Sequence, residues 1–164
     1  MGVITTAYSI TPPMMRKIRA DNDNLAYIFG ECEDENEVWK VESFDFDKGI
    51  EETISVLREA DCPKTAQKID CENYFYSDNS SYLDYDGYDV WTIPPSQVKA
   101  MLKELEKVNV EELKAKGNIN GITDRRGSLL PESLYKSYVG DLGRIKKFFQ
   151  KTVEQGNYLL FAEA

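Results

Sequence analysis

A chain of 164 residues with 41% hydrophobic side chains is long enough for one buried core and short for two, so residues 1–164 are expected to form one domain. With no histidine and three cysteines, none in a CxxC pair, it excludes Ser-His and Cys-His nucleophiles, zinc fingers and a disulfide framework. A net charge of −9 works against nucleic-acid and anionic-membrane binding, and the lack of an 18-residue apolar run or a secretory leader predicts a cytoplasmic protein.

Val3 to Ser9 is rich in β-branched and aromatic residues and predicts a first strand. Met1-Gly2 with Thr6 also fits a myristoylation pattern, although burial of the strand accounts for the same residues. Thr11 before Pro12 has the chemistry of an N-cap followed by proline in the first turn, opening a short helix through Met14, Met15 and Ile18. Asp21 to Asn24 lacks the glycine and glutamate that a calcium loop requires and is read as a solvated turn. Leu25 to Phe29 is too short to type. Glu31 to Glu37 holds five acids in seven residues and should be solvated. Val38-Trp39 and Phe44 to Phe46 return to the core. Asp47 is the expected N-cap of a helix through Ile50, Ile54 and Leu57, which ends near Ala60 ahead of Pro63; Lys64 to Ile69 allows a second short helix.

Asn73 to Asp89 interleaves Tyr74, Phe75, Tyr76, Tyr82, Tyr85 and Tyr88 with Asp78, Asp84, Asp86 and Asp89, and adds Asn79, Ser80, Ser81 and Gly87. Turn chemistry without helical periodicity predicts a long loop or an irregular hairpin. The stretch lies in the acidic part of the chain: residues 31–89 carry 5 basic and 18 acidic side chains, whereas residues 90–164 carry 12 and 9. Tyrosine pairs a wide apolar face with a polar tip, the composition of a recognition surface, and the same rings can equally cap the core while the aspartates stay solvated.

Val90 to Ile93 predicts a strand closed by Pro94-Pro95, followed from Ser96 by a helix through Val98, Met101, Leu102, Leu105 and Val108. Glu111 to Lys116 adds a turn or two. In the polar stretch Gly117 to Gly127, Arg125 and Arg126 have the chemistry of an anion clamp but are expected instead to pair with the acidic middle of the fold. Leu134, Tyr138, Leu142, Ile145, Phe149 and Thr152 then mark a long amphipathic helix, with Pro131 at its start and Gly156 at its exit. Asn157 to Ala162 is short and continuously apolar, hence a buried strand. Together these elements predict an α+β fold, in which a small mixed or antiparallel sheet from strands near Val3, Val90 and Asn157 packs against amphipathic helices, and the long C-terminal helix is followed by a terminal strand. The expected core includes Ile4, Trp39, Ile54, Leu57, Trp91, Val98, Tyr138, Phe149 and Leu160.

The Met1-Gly2 lead into a strand, the isolated Trp39, the passage Thr92-Ile93-Pro94-Pro95-Ser96-Gln97-Val98, the Leu130-Pro131 corner and the closing helix-Gly156-strand resemble the YfbM-like family of uncharacterised bacterial proteins. The resemblance implies a small cytoplasmic α+β domain across the chain and brings no catalytic residues with it. The tyrosine- and aspartate-rich stretch and the absence of histidine depart from the family pattern.

Catalytic, cofactor-binding and metal-ligating residues are assigned to none: no GxSxG elbow, P-loop or GxGxxG occurs. The leading expectation is a non-catalytic interaction domain, in its concrete form an immunity or inhibitor protein against a basic protein partner. Tyr82, Tyr85 and Tyr88 would supply apolar contact, while Asp84, Asp86 and Asp89 steer the partner. The alternatives are a hydrolase built on a carboxylate pair from those aspartates, and a small-molecule module with a closed apolar pocket.

Overall fold

The computed structural model describes residues 3–75 and 81–164. Met1 and Gly2 of the myristoylation pattern, and Tyr76, Asp78, Asn79 and Ser80 of the expected loop, fall outside the described residues. Among the described residues the strands are β1 (Thr5–Ile10), β2 (Glu42–Asp47), β3 (Tyr82–Tyr85), β4 (Tyr88–Ile93) and β5 (Tyr158–Glu163). The helices are α1 (Pro12–Ala20), α2 (Leu25–Ile28), α3 (Ile50–Glu59), α4 (Pro63–Ile69), α5 (Cys71–Phe75), α6 (Pro95–Leu105), α7 (Val110–Lys116) and α8 (Glu132–Glu154). None of them is long and apolar enough to cross a membrane.

All strand pairs are antiparallel, in the order β2-β1-β5-β4-β3. The last strand in sequence is therefore the middle one in space. β5 pairs Thr5 with Glu163 and Ile10 with Tyr158 on one side, and Asp89 with Glu163 and Ile93 with Leu159 on the other. Because side chains alternate along each strand, the sheet presents two faces. Ala7, Trp91, Ile93, Leu159 and Phe161 join α3, α4, α6 and α8 in the larger core. Ile10, Val90, Leu160 and Ala162 join α1, α2 and Trp39 in the smaller one. Burial on both faces explains why Leu159 to Ala162 is an unbroken apolar run.

Local chemistry sets the boundaries. Thr11 caps α1 as expected, its hydroxyl accepting from the Met14 amide at 3.4 Å. Asp47 does not cap α3. It adopts φ 50°, and the N-cap is Gly49, where a Cβ would lie 2.5 Å from the Tyr138 ring. The buried stripe of α8 is Tyr135, Val139, Leu142, Ile145, Phe149 and Thr152; Leu134 is 48% exposed and Tyr138 half-buried, contrary to the periodicity chosen from the sequence. The first turns of α8 lie against α7, and Tyr135 donates to the Leu113 carbonyl there at 3.5 Å, which selects a face one residue round. Ile4 is also outside the core: its backbone pairs with Ala164 beyond the end of β1, and its side chain is 46% exposed.

Candidate functional site

The tyrosine-rich stretch closes as a tight β3–β4 hairpin, Tyr85 opposite Tyr88 and Asp84 opposite Asp89, with Asp86-Gly87 at the turn. Gly87 takes φ 77° while Asp86 does not, and a positive φ at the second central residue of a turn is the position that favours glycine. The pleat then divides the six expected contact residues. Tyr82, Asp84 and Asp89 share the sheet face of Trp91 and Glu163, Tyr85 and Tyr88 share the face of Val90, and Asp86 projects from the exposed turn.

On the Val90 face the hub is Phe29, immediately after α2. Its ring stacks on Tyr88 at 4.3 Å and is tilted against Tyr85 at 5.6 Å and Tyr8 at 5.8 Å. Tyr85 donates its hydroxyl to Glu31 at 2.7 Å, and that bond to a carboxylate holds its pKa up at about 12. Burial, and then the Glu31 charge, raise Tyr88. Asn22 donates to the Asp84 carbonyl at 3.2 Å and ties the outer strand to the turn after α1. The acidic loop is ordered at Asp34, whose carboxylate accepts from the amides of Val38 and Trp39 at 3.0 and 2.6 Å and so lays Trp39 onto Tyr27.

On the opposite face the hairpin builds a row of like charges. Asp84 faces Asp89 across the hairpin, and Asp89 faces Glu163 across β4–β5. Tyr82 donates to Asp89 at 3.0 Å. Among the described residues none of the three acids forms an ion pair. Burial pushes the Glu163 carboxyl up foremost; a hydrogen bond from the Cys71 thiol opposes this, and Asp89 adds to it. The row borders an open groove of about 430 Å³. Asp84 and Asp86 are exposed, so the three aspartates do not converge in a sheltered cleft. No group of three or more acidic or thiol ligands suited to a metal ion occurs among the described residues. Arg125 and Arg126 are exposed and make no ion pair among the described residues, so they do not neutralise this region as expected.

Phe29, Glu31 and Glu163 complete the site and were not singled out from the sequence. The available signals were an aromatic residue abutting an acidic run, and a carboxylate closing a strand otherwise wholly apolar.

The sequence matches no curated protein. In fold the chain is similar to YfbM from Escherichia coli, a protein of unknown function, with a TM-score of 0.63 and 16% identity over 98% of this chain and 99% of that one. Residues 1–162 match the family described as a domain of unknown function, DUF1877, and the chain belongs to that family.

Proposed function

We propose that this protein is a non-catalytic interaction domain of the cytoplasm, immunity- or inhibitor-like, whose acidic hairpin end receives a basic protein partner. The observation that carries this is the row Asp84, Asp89 and Glu163: like charges set directly across neighbouring strands destabilise a sheet, and no cation of the described chain relieves them. A basic surface removes that repulsion on docking. Half-buried Tyr82 offers rigid apolar contact on the face of the charges, while Tyr85 and Tyr88 stand on the other face of the same hairpin. The same field repels nucleic acid and anionic lipid.

The test is the kinetics of a basic protein captured from host extract on the full chain, using the triple substitution Asp84→Asn, Asp86→Asn, Asp89→Asn. Association is expected to slow roughly tenfold at low salt, with the difference shrinking once the screening length falls below about 8 Å. Failure to retain a basic protein, or equal association rates for the two chains, overturns the proposal.

A further inference from the structure

Behind the carboxylate row, on the face of the larger core, a cleft of about 250 Å³ opens between α3, the start of α5 and the end of the sheet. Ile50 and Ile54 of α3, with Ile69 and Trp91, give it apolar walls. Thr5 lines it from β1. It is fully buried, yet its hydroxyl has no hydrogen-bond partner among the described residues. A buried hydroxyl left unpaired costs stability, and native folds seldom tolerate one without a reason. Directly across the β1–β5 pair, and lining the same cleft, stands the half-buried Glu163. Arg58 at the rim is engaged with Asp70 at 3.3 Å, whereas Glu51 and Glu163 form no ion pair among the described residues. Glu51, Asp70 and Glu72 also line it, so the cleft joins an apolar patch to a mainly acidic polar lining, with Glu163 across the strand pair from the unpaired hydroxyl.

We propose that this cleft binds a primary alkylammonium group, its N–H donors directed to Glu163 and the Thr5 hydroxyl and its stem lying over Ile50, Ile54 and Trp91. One occupant gives the orphaned hydroxyl a donor and gives the half-buried carboxylate, which accepts from the Cys71 thiol, a counter-charge. Burial works against the ionised Glu163, and a bound cation reverses that penalty. The volume lies below the roughly 300–1,000 Å³ of sites for larger ligands, which suits a single amine-bearing chain. Two sources carry this chemistry, a free small amine and a lysine side chain of a docking protein. The site stands whether or not the hairpin receives a partner.

The experiment is an amide-resolved NMR titration of the full chain with n-pentylammonium chloride, with pentan-1-ol and sodium chloride at equal ionic strength as controls. Saturable shifts are expected at Thr5, Ile54, Cys71 and Glu163 with the amine and with neither control. Glu163→Gln is expected to weaken binding at least tenfold, and the near-isosteric Thr5→Val at least threefold. Equal binding of lysine capped at both its α-amino and α-carboxyl groups assigns the site to a protein side chain; binding of pentylammonium alone assigns it to a free amine. Shifts that do not saturate and spread over the acidic surface, equal binding of pentan-1-ol, or unchanged affinity in both variants overturns the proposal.

Discussion

Cys62, Cys71 and Cys32 carry one functional group in three settings. Cys62 is fully buried, its thiol donates to the Ala60 carbonyl at 3.6 Å, and burial pushes its pKa up to about 11. Cys71 is half-buried and, through burial and its bond to Glu163, is raised further still. Cys32 is exposed in the acidic loop. Since the thiolate is the reacting species, a shift from 9.0 to about 11 leaves Cys62 with about a hundredth of an ordinary thiol's reactive form near neutral pH. With Ellman's reagent at pH 8, one thiol is expected to react rapidly and two at least about 100-fold more slowly, all three becoming equivalent in denaturant. Two fast thiols in the native protein would contradict these assignments.

At the level of elements, β5 is the member on which the rest depend. Leu159, Leu160 and Phe161 are each 0% exposed and each contribute roughly 1.5–3 kcal/mol, against a total stability of about 5–15 kcal/mol. Cutting after Gly156 also leaves β1 and β4 without their shared partner. The shortened chain is expected to show no cooperative thermal transition by circular dichroism; a transition near that of the full chain would refute the central role of β5. This strand was legible in the sequence because burial on both faces leaves a continuous apolar run, and α1 was legible because Thr11-Pro12 is local chemistry. β2 was not, since at the sheet edge it alternates buried Phe44 and Phe46 with exposed acids and resembles a loop returning to the core. α2 spans only four residues and is fixed by burial of Leu25, Ala26 and Ile28 rather than by propensity. At the start of α8 the sequence pattern is one residue out of step, because Leu134 and Tyr135 are both apolar enough for the stripe and only contact with α7 decides between them. For the candidate site, composition singled out all six hairpin residues. It did not disclose that the pleat separates them, nor that Phe29 and Glu31 meet Tyr85 and Tyr88. The hydrogen bond between Glu31 and Tyr85 joins positions 54 residues apart, a distance over which no local pattern carries information.

For the molecule as a whole, proton uptake and net charge act together at high pH. Tyr74, stacked on Trp91 and raised by burial, holds its proton in the fold to about pH 12, whereas in the unfolded chain it ionises near 10.0. Cys62 behaves alike between 9.0 and about 11. In these windows the native state binds more protons than the unfolded state, so stability is full below the unfolded pKa and falls as pH rises through the native one. New negative charge on a chain already at −9 adds in the same direction. The melting temperature is therefore expected to drop on the order of 5 °C or more between pH 9 and 11.5, and Tyr74→Phe, which keeps the ring on Trp91, to flatten that slope. A Tyr74→Phe profile parallel to the parent's would show that this tyrosine is not the linked group.

The placement of β5 between β1 and β4 also governs how the chain is made. Synthesis runs from the N-terminus, so Thr5–Ile10 leaves the ribosome about 150 residues before Tyr158–Glu163, an interval on the order of ten seconds at roughly 5–20 residues per second. Until β5 is made, β1 can pair only with β2 and the β3–β4 hairpin only within itself, each keeping an unpaired edge of the kind that joins neighbouring chains. The five-stranded sheet cannot close before translation has passed Glu163, so completion of this domain comes late in its synthesis.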